Sequence, residues 1–426
     1  MPTVSRRDFA RLLAFTAPVT LLGRRTPVPP VSPVLPALPA LPALPDDWSG
    51  VRRQFLFPAE LTPMNAANLC PAPRPVVESV ERWSRALDTD PSPGTREKLP
   101  VAREESRRLV AEFLGVTPEE IVITRNTSEA NNLVSSGLAL GPDDEVVTFA
   151  DNHPSALRAW QLKAERAGFR VTVVPQVNPH PGPDHYVEAF RQALTPRTRV
   201  LAFSHVSNTV GDLLPAAELC GIARERGVLT LVDGAQSFGV LAVRPAEMGA
   251  DFYTGSAHKW LCGPREIGIL YVRREVQDRL APSIISLYAG RVGASRTLEA
   301  FGQRDEPAIA ALADAVRFQS AIGRARIEER ARELAQALME GLRALDGVTL
   351  WTHPDPARSA AVVSFQPGSL DIPRLATALY QRDRIVCATR GGQDRPGIRL
   401  SPHLYNLAAE VERAVVAVGK YLASGV

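Results

Sequence analysis

The sequence predicts an α/β protein with a mostly parallel, seven-stranded sheet in a large domain, followed by a smaller α+β domain at the C-terminal end. From residue 121 to residue 272, short β-branched runs alternate with helix-like segments. Several of these runs are apolar on both faces, as expected for central strands that helices cover. A length of 426 residues with 45% apolar side chains is enough for two domains.

The elements follow from these patterns in chain order. Strands are predicted at residues 121–124, 145–149, 171–174, 200–204, 229–232, 252–254 and 268–272. The helices between them are predicted at residues 128–140, 155–167, 186–194 and 215–226. An Ala-rich, charged segment predicts one long helix over 306–345; strands at 361–365 and 384–387 and a helix at 408–422 follow. We place an N-terminal arm and the large domain at 47–310 and the small domain at 311–426.

The first 46 residues have a different composition. Ser5-Arg6-Arg7-Asp8-Phe9 and the apolar run 12–22 resemble a twin-arginine export signal, which we assign to 1–26. The run is too short to span a bilayer, so no stable membrane span is expected. Residues 27–46 form a Pro-rich linker. We therefore expect the twin-arginine machinery to carry the folded protein to the periplasm; without a working leader it would stay in the cytoplasm.

Charge and composition exclude several classes of function. The net charge is only +3 and there is no long basic run, so nucleic acid is not an expected partner. The seven histidines show no HExxH spacing, and the four cysteines form no CxxC pair. The sequence thus predicts no metal site and no disulfide framework, and it favours buried free thiols at Cys70, Cys220, Cys262 and Cys387.

Two charged residues at predicted strand ends carry the chemistry. Asp233 ends one strand, and Lys259 follows the next, at the sheet edge where α/β proteins bind ligands. Pyridoxal phosphate needs a lysine for a Schiff base and a carboxylate that keeps its ring nitrogen protonated. Taken singly, Asp233 fits an ordinary turn and Lys259 a solvated side chain. Thr127 and Ser128, which open a helix after a strand, add a place for the phosphate.

Three motifs resemble those of the class V aminotransferase family, fold-type-I enzymes that depend on pyridoxal phosphate. They are DGAQ at 233–236, GSAHKW at 255–260 and TRNTSEANN at 124–132. The resemblance extends from about Met64 to the C-terminus. The family includes cysteine desulfurases, isopenicillin N epimerase-like proteins and C–S lyases.

The resemblance implies a role for each matching cofactor residue. Lys259 resembles the Schiff-base lysine, which also moves protons at the substrate's α-carbon, and Asp233 the partner of the pyridine nitrogen. His153 resembles the histidine that stacks on the ring, and Gln236 and Asn208 the residues near the phenolic oxygen. The residues that resemble the phosphate ligands are Thr127, Ser128, Ser256 and His258.

The resemblance also implies substrate and subunit contacts. Arg399 resembles the arginine that binds the substrate's α-carboxylate, a group that a guanidinium fork suits. Asn65 lies in a stretch that resembles the substrate-facing N-terminal loop. Gln303 aligns with a segment that reaches a neighbouring subunit's phosphate, where desulfurases usually have Thr, and it hints at a homodimer with shared sites.

These roles imply a reaction at the α-carbon or α-amino group of an amino acid or an amino-acid-bearing peptide. Together with the leader, they resemble periplasmic enzymes that tailor the glutamyl group of pyoverdine-type siderophores, with aminotransferase-type chemistry as one form. An isopenicillin N epimerase-like racemase and a C–S lyase are alternatives, and a non-catalytic cofactor-binding protein is the least favoured. Cysteine desulfurase is disfavoured because the loop ATRGGQDRPG, 388–397, has no cysteine.

Overall fold

The computed structural model describes residues 47–391 and 394–426, all within one compact unit, Pro39–Val426. The predicted export signal and the whole Pro-rich linker, which ends at residue 46, lie outside the described residues. The predicted boundary between the large and the small domain near residue 310 stays a prediction.

A seven-stranded sheet forms the centre of this unit and confirms the predicted fold class. Its strands stand in the order β2-β8-β7-β6-β5-β3-β4, and β8 is the antiparallel member. The strands are β2 (Ile121–Thr124), β3 (Glu145–Phe149), β4 (Arg170–Val174), β5 (Thr198–Ser204), β6 (Leu229–Asp233), β7 (Phe252–Ser256) and β8 (Gly268–Val272).

Helices connect the strands of this sheet and precede it. The helices of the N-terminal part are α1 (Trp48–Arg52), α2 (Arg74–Thr89), α3 (Pro93–Arg96) and α4 (Lys98–Leu114). Those between the strands and directly after them are α5 (Thr127–Gly137), α6 (Pro154–Ala167), α7 (Pro183–Ala193), α8 (Ala216–Arg224), α9 (Pro245–Met248) and α10 (Ser295–Leu298). Short 3-10 turns lie at Pro118–Glu120 and Arg274–Arg279. Apolar side chains bury both faces of the sheet in two clusters.

The C-terminal part builds a second, antiparallel sheet of four strands in the order β12-β13-β10-β9. These strands are β9 (Val348–Leu350), β10 (Val363–Pro367), β12 (Ala388–Arg390) and β13 (Gly397–Leu400). The N-terminal β1 (Thr62–Pro63) pairs in parallel with β11 (Ile385–Val386), which attaches the N-terminal arm to this part. Its helices are α11 (Glu306–Ile322), α12 (Arg324–Arg343), α13 (Ile372–Gln381) and α14 (Ala408–Ser424).

Two predicted elements are wrong in detail. The single helix over 306–345 is two helices, because Gly323 has a φ of 96°, which a helix cannot continue through. The strand predicted over 384–387 is also divided: β11 pairs with the arm, Cys387 lies between strands, and β12 joins the small sheet. The partner of β11 lies in the N-terminal arm, far away in sequence, whereas β13, the partner of β12, follows it after a short loop.

Among the described residues, no helix is both long and apolar enough to cross a lipid bilayer.

Candidate active site

A cavity of about 210 Å³ lies where the central strands end and helices α5 and α6 begin. It brings together nearly all of the residues that the sequence assigned to the cofactor. The predicted residues that line it are Thr127, Ser128, His153, Asn208, Asp233, Gln236, Ser256, His258 and Lys259. Asn126, Ser155, Ser204, Val206 and Ala235 complete the lining.

The carboxylate of Asp233 is buried at the end of β6, where two hydrogen-bond donors hold it. Its Oδ1 accepts a hydrogen bond from the backbone N–H of Ala235 at 3.0 Å. Its Oδ2 accepts a hydrogen bond from Asn131 Nδ2 at 2.9 Å. These bonds fix the carboxylate without neutralising it, so it can attract a protonated ring nitrogen.

Lys259 is half-buried on the same cavity, directly after β7. Burial lowers the pKa of its amine, and the charge of Arg399 adds to this, while Asp233 acts in the opposite direction. A larger neutral fraction makes the amine a better nucleophile toward an aldehyde. Trp260, the next residue, is fully buried, and its carbonyl accepts hydrogen bonds from Gln319 and His403. The lysine backbone is therefore anchored.

The end of the cavity near α5 is built for an anion. Thr127 Oγ1 and the Thr127 backbone N–H each lie 2.9 Å from Ser256 Oγ. Asn126 caps the helix by accepting a hydrogen bond from the N–H of Glu129, which leaves the N–H of Ser128 without a partner among the described residues. Free N–H groups at a helix start attract phosphate.

Gly268 allows the anion-binding end of the cavity, near α5, to form. A Cβ at Gly268 would lie 2.6 Å from the Cα of Asn126, so any larger residue would push the loop before α5 away from the sheet.

His258 lines the cavity and is neutral, because burial, with a contribution from the charge of Lys259, lowers its pKa to about 4.

Gln236 has a fixed orientation. Its Oε1 accepts a hydrogen bond from the indole N–H of Trp260 at 2.8 Å, and its Nε2 donates to the carbonyl of Ala67 at 2.9 Å. An amide nitrogen has two hydrogens, so one N–H of Gln236 is left for a cavity ligand. Asn208 contributes a buried Oδ1 that has no hydrogen-bond partner among the described residues. This side of the cavity therefore offers a ligand one donor, the Gln236 N–H, and one acceptor, Asn208 Oδ1.

His153 caps α6 and faces the cavity. Its Nδ1 accepts a hydrogen bond from the N–H of Ser155 at 3.2 Å, which places the ring hydrogen on Nε2. Ser155 Oγ also lies 3.0 Å from Ser128 Oγ, so a chain of hydroxyls joins the starts of α5 and α6. Burial lowers the pKa of His153, with Lys259 and Arg399 acting in the same direction and Asp233 opposing them. A neutral imidazole suits stacking on an aromatic ring.

Arg399 reaches this region from β13 of the small sheet. Its Nη1 donates to the carbonyl of Asn208 at 2.8 Å, and its Nη2 donates to Asn65 Oδ1 at 3.1 Å. Its Nε is buried without a partner. Burial, followed by the charge of Arg390, lowers its pKa to about 10. The guanidinium has no carboxylate partner among the described residues, which is the state expected of an anion-binding arginine.

Gln303 does not join the cavity within one chain. It is exposed, and it lines two surface depressions together with Gly302, Tyr288 and Arg304. Its predicted contact with another subunit's phosphate stays a prediction.

Sequence reasoning missed Asn131, Asn126 and Ser155. Asn131 positions Asp233, Asn126 caps α5, and Ser155 contacts both Ser128 and His153. Asn126 and Asn131 lie inside the TRNTSEANN motif, so the motif itself was the signal that could have found them.

The four cysteines are free, as predicted, and all but the half-buried Cys387 are buried. The sequence separates Cys70 from Cys262 widely, yet Cys70, Cys262 and His403 place potential ligand atoms within 4.8 Å of one another, all buried. His403 Nε2 lies 2.7 Å from the carbonyl of Trp260, and Cys70 Sγ lies 3.5 Å from the Tyr405 hydroxyl. The predicted absence of a metal stays a prediction.

The cavity fits pyridoxal phosphate as a fold-type-I enzyme would hold it: a lysine, a buried carboxylate, an anion-binding helix start and an oriented amide surround one space. The family model described as Aminotransferase class-V matches residues 70–414. The chain belongs to this family of enzymes, and its cofactor is pyridoxal phosphate.

Individual relatives give a more detailed comparison. Isopenicillin N epimerase of Amycolatopsis lactamdurans is 34% identical over 389 residues, covering 87% of this chain and 98% of the relative. An apo cysteine desulfurase structure from Thermococcus onnurineus NA1 has a TM-score of 0.79 at 28% identity, covering 88% of this chain and 97% of that one. A lysine variant of C-DES with glycine covalently linked to the PLP cofactor is 24% identical and shares the fold. Its TM-score is 0.80, and the match covers 86% of this chain and 98% of that one.

Proposed function

We propose that this enzyme removes and returns the α-proton of an amino acid or amino-acid-bearing peptide, and that epimerisation of that carbon is its reaction. One observation carries the proposal: Lys259, with its lowered pKa, shares a cavity with Asp233 and lies within electrostatic reach of Arg399. Pyridoxal phosphate, when bound, supplies the electron sink that stabilises negative charge at the α-carbon. The similarity to isopenicillin N epimerase over 87% of this chain supports epimerisation over transamination.

Three residues of this chain would have separate roles in the reaction. Arg399 would hold the substrate carboxylate, and its bonds to Asn65 and to the Asn208 carbonyl orient the guanidinium. The Lys259 amine would take the α-proton and return it, because burial leaves it neutral more often than an exposed lysine. His153, a neutral imidazole on the same cavity, is the second group able to carry a proton.

Desulfurase chemistry remains disfavoured. The loop 388–397 contains no cysteine. Cys387, just before it, is half-buried, and burial raises the pKa of its thiol to about 11, so little thiolate exists at neutral pH.

A homodimer and export are parts of the proposal. Exposed apolar side chains, including Ile285 and Leu287, lie in the segment before Gln303 and would be covered by a second copy. The twin-arginine-like leader supports export of the folded, cofactor-loaded enzyme to the periplasm. Cell fractionation of the wild type and of an Arg6→Lys, Arg7→Lys variant tests export: wild type in the cytoplasm would contradict it.

The reaction is tested by incubating the holoenzyme in D₂O with a panel of amino acids and glutamyl peptides. Proton NMR follows loss of the α-hydrogen, and chiral chromatography follows inversion. Epimerisation gives deuterated substrate of both configurations, and Lys259→Ala abolishes both signals. Formation of an oxo acid with conversion of the cofactor to its amine form would instead establish transamination. Release of alanine and sulfur, or of pyruvate, would establish desulfurase or lyase chemistry.

A further inference from the structure

A second arginine stands beside Arg399 on the small sheet. In the β12–β13 pair, Ala388 lies opposite Arg399, and Arg390 lies opposite Gly397. Directly opposed residues of an antiparallel pair share a face, so Arg390 and Arg399 are diagonal neighbours on one face. They are close enough that the charge of Arg390 contributes to the lowered pKa of Arg399.

Arg390 has no counter-charge at ion-pair distance. Its Nε is buried without a partner, and no hydrogen bond or ion pair joins its guanidinium to any residue in the described part of the chain. Burial lowers its pKa, and the charge of Arg395 adds to this, while Asp151 opposes both.

The nearby carboxylate is already occupied. Asp151 pairs with Arg395, whose Nη2 lies 3.0 Å from Asp151 Oδ1, and Asp151 also accepts hydrogen bonds from Ser207 and Thr209. Asp212, the other acid in this region, accepts a hydrogen bond from Gln176. Burial raises the pKa of Asp212 to about 7, so it carries only part of a charge at neutral pH.

Two neighbouring guanidinium groups are thus partly withdrawn from water with no anion between them. Holding like charges together in this way costs free energy unless a ligand neutralises them. One of the two reaches the Asn208 carbonyl and Asn65, at the edge of the cavity that holds Lys259. A ligand in that cavity with a single carboxylate would satisfy Arg399 and leave Arg390 unpaired.

We propose that Arg390 binds a second carboxylate of the substrate, so that the enzyme acts on amino compounds whose side chain ends in an acid group. This inference rests on the proposed function and specifies its substrate class. The backbone positions of diagonal neighbours in an antiparallel pair are roughly 7–8 Å apart, and two side chains that extend from one face in parallel keep a similar separation. A side chain with several methylene groups spans such a distance better than that of aspartate does. Among simple amino acids, the fit improves from aspartate through glutamate to 2-aminoadipate.

The test compares two ligands of equal chain length, L-2-aminoadipate and L-norleucine, which carry a carboxylate and a methyl group at the same position. Their binding to the holoenzyme is measured by isothermal titration calorimetry and by the change in the cofactor's absorption band. The wild type is expected to bind 2-aminoadipate roughly 10- to 100-fold more tightly, the range for a charge-assisted hydrogen bond. Arg390→Met abolishes this preference and leaves norleucine binding within about twofold. Arg390→Lys retains part of the preference.

Arg382→Met is the matched control, since Arg382 is exposed just after α13 in the same part of the chain. It retains the full preference if the effect belongs to Arg390. Equal affinity for both ligands in the wild type, or a preference that survives Arg390→Met, overturns the second carboxylate site and leaves the proposed α-carbon chemistry intact. Absence of any spectral response to every amino acid tested, with the cofactor bound, overturns the proposed function and this inference with it.

Discussion

Asn131 Nδ2 donates a hydrogen bond to Asp233 Oδ2 across 2.9 Å, joining the first turns of α5 to the end of β6. The amide cannot easily turn around, because its Oδ1 accepts a hydrogen bond from the Thr254 hydroxyl at 3.1 Å. All three residues are buried. The helix whose start would bind the phosphate therefore also positions the carboxylate that would face the pyridine nitrogen.

Asn131→Ala is expected to weaken pyridoxal phosphate binding by roughly 5- to 30-fold, since a buried carboxylate loses one of its donors. The dissociation constant is measured by absorbance titration of cofactor-depleted protein. Asn132→Ala, at an exposed position on the same helix, is the matched control and should bind as the wild type does. An unchanged constant for the Asn131 variant would refute a positioning role.

Lys259 is expected to be the lysine that binds the cofactor covalently. Lys163 is a demanding control, because burial lowers the pKa of its amine to about 8 and makes it reactive too, although it lies outside the cavity lining. After borohydride reduction, peptide mapping should find the cofactor on Lys259. Lys259→Ala should lose the near-visible band that Lys163→Ala retains. Labelling mainly at Lys163 would show that the cavity assignment is incorrect.

Asn65→Ala is expected to raise KM for the amino substrate about tenfold with little change in kcat, because Arg399 loses one of the two bonds that orient it. Cofactor affinity should stay the same. Asn68→Ala, an exposed change in the same arm, should leave KM unaltered. Steady-state kinetics with whichever amino acid shows α-hydrogen exchange would measure this, and a fall in kcat alone would argue against a substrate-orienting role.

The protein is expected to lose stability as the pH falls from 7 to 5, in part through His205. Burial lowers the pKa of His205 in the folded state to about 4, whereas an unfolded histidine titrates near 6.5. Between these values the unfolded state binds more protons, so acid favours unfolding. Asp212, with its raised pKa, acts in the opposite direction, so comparison with a variant is needed.

His205→Gln should therefore reduce the pH-dependent loss of unfolding free energy by about 2 kcal/mol between pH 7 and pH 5. Urea unfolding at the two pH values measures this difference. His185→Gln, at an exposed histidine, should change nothing. An equal loss in the wild type and in the His205 variant would mean that this ring does not control the acid sensitivity.

Leu287→Asp is expected to disrupt the proposed homodimer. Leu287 is fully exposed at 100%, and Ile285 at 88%, so a second copy covering them would have to bury the new charge. Sedimentation velocity should show the mass falling to that of a monomer. Val416→Asp, at an exposed apolar position on α14, is the control. A wild-type monomer, or an unaffected dimer in the variant, would exclude this face as the interface.

The sequence by itself determined the fold class and most of the cavity. Asp233 and Lys259 were predictable because strand ends in parallel sheets converge at one edge, and because the surrounding motifs are specific. Local patterns gave the helices and strands of the central sheet to within a few residues.

Only the tertiary structure decided how those residues are supported. The bond from Asn131 to Asp233 depends on the packing of α5 beside β6 and β7, and the break at Gly323 depends on a backbone angle. The neighbouring positions of Arg390 and Arg399 depend on the register of β12 and β13. That register is set by the geometry of the loop that joins the two strands and by which face packs against the rest of the protein, and the residues of the two strands alone do not reveal either.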